Sequence, residues 1–377
     1  MSRKIFLSVI LLCLILPSVA QNKYWVFFTD KKDVAFDPYS YFDKKAIQRR
    51  ERCHLPLFDS TDMPVKDQYI QAVQNLSDSV GYSTRWFNAV VAWMQPDQKM
   101  KVESLPFVSS VEQMDGVSNV CSVQSWDTTL NSWQSQILNR QTESMQASLF
   151  KQKGIDGKGV RIAIFDAGFP TVDVNPAFEK IRNEGRILNT WDFVHNKKFV
   201  YAYNAHGTNT FSCIAGMIGD KQIGLATGAE FILARTERSG EPYSEEQNWL
   251  AAVEWADKNG ADIVNSSLGY TYHRYFPWDM DGKKSLVTRA GNLAARKGIL
   301  IVNAAGNDGD NQWHVMGAPA DADSVLTVGG IDPNGEYHTD FSSYGPTADL
   351  RMKPNVCAYG HVIASGKNGL NKTQGTS

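Results

Sequence analysis

What this chain has little of narrows its reading. There is no basic surplus: 38 basic and 40 acidic residues leave a net charge of -2, which gives no global field to hold nucleic acid or an anionic membrane. Cysteine is sparse, at 5 in 377 residues, too few for a disulfide scaffold. Cys53, Cys121, Cys213 and Cys357 lie too far apart for a C-x-x-C metal spacing, and Cys213 and Cys357 read as buried free thiols. The 7 His residues include no H-E-x-x-H and no close pair, which argues against a metal-dependent hydrolase. Hydrophobic residues make up 42% and charged residues 21%, as in ordinary globular chains, so a mainly disordered or multi-span membrane protein is excluded. At about 150 residues per domain, the length allows two or three folded units.

The amino terminus carries an address. Arg3 and Lys4 precede an apolar run over residues 5–16, and Pro17, Ser18, Val19 and Ala20 close it with small residues before a cut after Ala20. That is the pattern of a secretory signal peptide. As a helix, the run would cover about 18 Å, short of the roughly 30 Å hydrocarbon core. The expectation is therefore export to an extracellular, periplasmic or cell-surface location, with no integral membrane segment after cleavage.

Residues 21–120 read as a small α+β unit. Strand-like runs lie at 24–29, 85–94 and 107–114, and helical patterns at 43–52, 65–76 and 101–105, consistent with a β-α-β-β-α-β order. Residues 117–148 are polar and read as a linker that carries a cleavage point near Met114 or nearer Ser132, followed by a helix up to Lys153. Beyond Gly154 strands and helices alternate. Residues 160–165 (VRIAIF) form a continuous apolar run, as in a strand buried on both faces. A helical stripe follows His206, another opens at Ser244 and a third spans 284–297, with strands at 231–234, 263–265, 299–303 and 325–328. This alternation predicts a parallel α/β sheet with helices on both faces, whose active residues gather at the carboxyl ends of the strands.

Three short motifs fall at such ends: Asp166-Ala167-Gly168, His206-Gly207-Thr208 and Gly375-Thr376-Ser377. Each alone also fits a loop carboxylate, a surface His or an ordinary loop Ser. Together they supply what acyl transfer needs. A Ser hydroxyl is a poor nucleophile at neutral pH, so a His must take its proton, and an Asp must hold the imidazole and offset its charge. Asn307, set between Gly306 and Asp308-Gly309 after an apolar strand, is a candidate donor to the developing oxyanion.

With these residues in the order Asp, His, Ser, the chain resembles a subtilisin-like serine protease of the peptidase S8 family. The likeness runs over residues 154–377 and rests on IAIFDAG around Asp166, HGTNTFSCIAG from His206 and NSSLG at 265–269. AAGNDG at 304–309, FSSYGP at 341–346, KPNVCAYG from Lys353 and the terminal GTS also match. The resemblance implies that His206 is general base and then general acid, Asp166 its orienter, Ser377 the nucleophile and Asn307 the oxyanion donor. It implies that Ser267, Leu268 and Gly269 pair with the substrate backbone. It also implies that Ala304, Ala305 and Gly306 wall a pocket with room for a large side chain. Further, it implies a signal peptide over 1–20, a ferredoxin-like propeptide over 21–120 that inhibits the enzyme intramolecularly, and a peptidase domain over 121–377. Protein or peptide substrates follow, with no cofactor needed for the chemistry. Structural calcium is left open, and the acidic stretch 321–323 reads as a solvated loop.

Three departures accompany the likeness. Ala167 stands where Ser or Thr is frequent, which removes a hydrogen bond to the carboxylate, and Asn209 stands where a His is frequent. Ser377 is the last residue, where the resemblance implies a following helix, so the sequence is expected to be a truncated or partial record. The alternative reading is a catalytically inactive relative that binds peptides or its own propeptide.

Overall fold

The computed structural model describes residues 22–114, 131–238, 244–271 and 274–377. The expected signal segment and Cys121 lie outside the described residues. The amino-terminal unit holds four strands, β1 (Asn22–Phe28), β2 (Ser79–Thr84), β3 (Ala89–Met94) and β4 (Val108–Met114). They pair antiparallel in the order β2-β3-β1-β4. Helices α1 (Lys44–Arg52), α2 (Asp67–Leu76) and α3 (Pro96–Glu103) complete it. The small α+β arrangement is thus present, with the expected helix at 43–52, α1, inserted between β1 and α2. The run at 85–94 is not a single strand. Residues 85–88 form the turn of a hairpin, and the polar segment Ser79–Thr84 supplies its other strand. The turn is apolar because Trp86 is buried, at 4% exposure, against the larger unit.

Both faces of this small sheet are apolar, and strand alternation divides them. Tyr24, Val26 and Phe28 pack with Val90, Ala92 and Met94 on Val73 of α2 and Val102 of α3. Trp25, Ala89 and Val91 point the other way, into the core of the larger unit.

That larger unit is built on β5 (Arg161–Asp166), β6 (Ile187–Asp192), β7 (Glu230–Arg235), β8 (Ile263–Ser266), β9 (Leu300–Ala304), β10 (Leu326–Ile331) and β11 (Val356–Tyr359). They form a 7-stranded sheet in the order β11-β10-β9-β8-β5-β7-β6, and every pairing is parallel. Helices α4 (Ser132–Glu143), α5 (His206–Ala215), α6 (Ser244–Lys258) and α7 (Leu286–Arg296) cover it. Ile162 and Ile164 of β5, with Phe231 and Leu233 of β7, meet Phe211 and Ala215 of α5 and Ile137 and Leu138 of α4. Ala163, Phe165, Ile232 and Ala234 face the opposite core, with Trp249, Leu250 and Val253 of α6 and Val287 and Ala290 of α7. Fully burying each such large side chain is worth about 1.5–3 kcal/mol.

Several sequence expectations are corrected. The expected linker contains α4, whose Gln141 side chain accepts from Ile363 N–H at 2.8 Å and donates to Ile363 C=O at 3.0 Å. Gln141 is polar yet buried because it pairs with an extended backbone rather than with water. The segment before Ser377 is a hairpin, β12 (His361–Gly366) with β13 (Gly369–Gln374). Cys357 is an exposed free thiol on edge strand β11, and Cys213 is only partly buried at residue level, although burial pushes its thiol up to about 11. Asp321 is fully buried rather than solvated, accepting from Thr288 Oγ1 at 2.6 Å and Gly282 N–H at 2.8 Å.

The seam between the two units is charged as well as apolar. Arg49 and Arg50 of α1 and Arg85 of the hairpin turn converge on Asp257 of α6, Arg50 at 3.1 Å and Arg85 at 2.8 Å. Arg50, Arg85 and Lys297 also reach Asp62, at 3.3, 2.7 and 2.9 Å. All six side chains are almost wholly buried. Burial pushes the Asp257 carboxyl up, but Arg85, Arg49 and Arg50 outweigh it and hold the group well below the usual carboxylate range.

Candidate functional site

The parallel register sets five strand ends on one rim. Asp166 closes β5 opposite Arg235, Asp192 lies opposite the same Arg235, and Ser266 lies opposite Asn303. Asp166 is fully buried. His206, the first residue of α5, brings Nδ1 to 2.9 and 3.0 Å from the two Asp166 oxygens. The approach requires two glycines. A side chain on Gly207 would collide with Gly168 C=O and the Asp166 side chain, and Gly168, at φ +146°, would collide with Ala202 C=O.

Asp166 has two further donors: Ala167 N–H at 2.7 Å to Oδ1 and Thr210 Oγ1 at 3.3 Å to Oδ2. The hydroxyl expected to be missing at residue 167 is therefore supplied from the next turn of α5. The Asp166 charge holds the imidazolium of His206 above its ordinary pKa, against an opposing desolvation. With Nδ1–H committed to the carboxylate, Nε2 is the nitrogen left to act as a base, on a ring that is 40% exposed.

Asn307, Thr376 and Ser377 form the other side. Thr376 N–H donates to Asn307 Oδ1 at 2.8 Å, and the Thr376 hydroxyl lies 3.1 Å from the same oxygen. A backbone N–H can only donate, so this bond fixes the amide orientation and leaves Nδ2 as the free donor end. Ser377 Oγ donates to Ser267 C=O at 3.5 Å, and Ser267 Oγ donates to Ser377 C=O at 3.2 Å. His206, Asn307 and Ser377 line one cavity of about 280 Å³ together with Ser267, Leu268, Gly269, Ala304 and Gly306. Among the described residues no hydrogen bond joins His206 to Ser377. Ala305 is fully buried, with its N–H on Val328 C=O at 2.9 Å, so it sits behind the wall instead of lining it.

Sequence reasoning missed the supports. Thr210 could have been found from its i+4 spacing to His206 on one helix face. Arg235 donates through Nε to Ala167 C=O at 3.1 Å and through Nη1 to both oxygens of buried Asp192, at 3.2 and 3.1 Å. It thereby ties the turn after Asp166 to the neighbouring strand. No local motif marks it. Among the described residues no group of three or more His, Cys, Asp or Glu could hold a metal ion, and no helix is long and apolar enough to cross a membrane.

Comparison with known proteins places this geometry in context. Residues 157–377 match the family model described as Subtilase family, and residues 23–129 match Peptidase S8 propeptide domain, Bacteroidota. Subtilisin DY of Bacillus licheniformis is 27% identical over 61% of this chain and 76% of its own length. Serine protease AprX of Bacillus subtilis (strain 168) is 31% identical over 61% of this chain, but the match spans only 53% of AprX. The solved structure of the prenylagaramide maturation protease PagA aligns with a TM-score of 0.48 at 22% identity, over 61% of this chain and 74% of that one.

Proposed function

Because this chain belongs to the subtilase family of serine peptidases, we propose that it is an exported endopeptidase that cleaves proteins through Asp166, His206 and Ser377. The observation that carries the reading is the buried Asp166 carboxylate bonded to His206 Nδ1 at 2.9 Å, in a cavity that also holds Ser377 and Asn307. His206 Nε2 takes the Ser377 Oγ proton as the oxygen attacks the scissile carbonyl carbon. The carbonyl oxygen becomes an oxyanion and accepts from Asn307 Nδ2–H. The C–N bond then breaks, His206 returns the proton to the leaving amine, and an acyl-enzyme remains. Water, deprotonated by the same imidazole, releases the acid and restores Ser377. Side chains and water supply every group in this sequence, so no cofactor is required.

Ser267, Leu268 and Gly269 offer an extended edge on which substrate backbone can add as a strand, and Ala304 and Gly306 form the pocket wall. Residues 21–120 act as an intramolecular inhibitor, released from a peptidase domain over 121–377, with residues 1–20 as the export signal. The second reading, a peptide-binding relative without activity, is favoured by one feature: Ser377 Oγ is turned to Ser267 C=O rather than to His206.

A serine-directed phosphonate separates the two. Covalent labelling of Ser377, detected by peptide mass and abolished by His206→Ala, is the expected outcome. Folded protein that takes up no label would leave the binding reading standing.

A further inference from the structure

Glu237 lies two residues beyond β7, with its N–H 3.5 Å from Asp166 C=O. It is only 7% exposed, yet it lines the same cavity as His206, Leu268, Thr271 and Ser377. A carboxylate so deeply buried is normally matched by a cation. Among the described residues Glu237 has no ion pair. Its carboxylate accepts from the Tyr270 hydroxyl at 2.9 Å. Arg274, over Tyr270's ring at 4.7 Å, feels the Glu237 charge but is engaged directly by Glu245 at 3.3 Å and Glu246 at 3.6 Å. Glu245 adds a second negative charge beside Glu237 rather than relieving it; burial first, and then Glu245, push the Glu237 carboxyl well up.

We propose that Glu237 makes this cleft select substrates with a basic side chain, Lys or Arg, near the scissile bond, by supplying the carboxylate that pairs with it. The inference rests on the endopeptidase reading above and adds the substrate class to it. A cationic side chain entering the cavity brings a direct ion-pair partner that Glu237 lacks among the described residues. A neutral side chain of the same length leaves the acid unpaired, and an acidic one places a further carboxyl beside Glu237 and Glu245. Because the cavity also holds Ser377 and His206, the pairing is made while the scissile bond is at the reactive groups, so it appears in kcat/KM.

The test uses the full-length protein freed of its propeptide. Fluorogenic peptides of one fixed sequence carry Arg, citrulline, Leu or Glu in turn at each of the positions flanking the scissile bond. At one position Arg is expected to exceed its neutral isostere citrulline at least tenfold in kcat/KM, with Glu the poorest. Glu237→Gln is expected to lower the Arg-to-citrulline ratio by at least tenfold. A reversible peptide aldehyde pair, Arg against citrulline, reads the same ratio on the unsubstituted protein as an inhibition constant, in case the variant does not fold. A ratio near one at every position, or a ratio that survives Glu237→Gln, overturns the inference and leaves the endopeptidase reading intact. Absence of cleavage of every peptide overturns both.

Discussion

At the seam, Asp257 is surrounded by three guanidiniums, and Asp62 by two guanidiniums and an ammonium. At the rim, Asp166 is equally buried but has a single imidazole as its ionisable partner. The ingredients are the same and the construction is opposite. Around Asp257 the cations are almost wholly buried, and Arg49 also donates to Ala261 C=O at 2.6 Å and Lys297 C=O at 3.1 Å. Around Asp166 the partner keeps one nitrogen uncommitted and 40% of its side chain open to the cleft. Burial of a carboxylate therefore does not distinguish structure from chemistry. What distinguishes them here is that the partner of Asp166 keeps 40% of its side chain exposed, whereas the partners of Asp257 are almost wholly buried.

Two substitutions test the contrast most directly. His206→Ala is expected to lower kcat on a peptide substrate by about 10⁴-fold or more, with the urea unfolding midpoint little changed. Asp257→Ala is expected to do the reverse. In the uncut chain it leaves several buried cations without their acid, which costs about 3–5 kcal/mol of stability in urea unfolding, while turnover of the peptidase unit freed of residues 21–120 is retained. If Asp257→Ala left stability intact, the seam cluster would be ornamental and the comparison would fail. Asn307→Ala sharpens it on the rim side. The expected loss is about 10²–10³ in kcat with KM nearly unchanged. Equal effects on both would place the amide outside the oxyanion site, despite the Thr376 bond that orients it at 2.8 Å.

The same contrast explains what the sequence made legible. The strands of the large sheet were readable because burial on both faces makes them continuous apolar runs, as at Arg161–Asp166. The rim was readable because Asp166, His206, Asn307 and Ser377 sit in short motifs next to glycines. The seam was not. Arg49 and Arg50 look like the polar side of an exposed helix, since the acids that bury them lie up to 208 residues away. Gln141 and Asp321 escaped for the same reason: their polar groups are satisfied by distant backbone or side chains, which a local pattern does not record. Arg235 belongs with them, as it works through Asp192 and Ala167 C=O.

Thr210 lies between the legible and the hidden, and its removal is the finest test of the rim. Its hydroxyl lies 3.3 Å from Asp166 Oδ2 and 3.0 Å from His206 C=O. Thr210→Val removes one donor to a buried carboxylate but no reacting atom. A hydrogen bond of this kind contributes about 0.5–1.5 kcal/mol, so kcat is expected to fall by roughly two- to tenfold. The pH profile carries the sharper signal. His206 must be neutral to accept the Ser377 proton, and the Asp166 charge raises its pKa, so activity should fall away on acidification from a pH above the ordinary His value. By linkage, the stability that the charged pair contributes is fully present below the unfolded His pKa and is lost as pH rises through the folded one. Without the Thr210 donor, the Asp166 charge is less shared and acts more strongly on the imidazolium. The acid limb of kcat should therefore move further up in Thr210→Val. A limb that stays in place or moves down would mean that the hydroxyl serves only the helix backbone at His206 C=O, and Asp166 would then be held by Ala167 N–H and His206 alone.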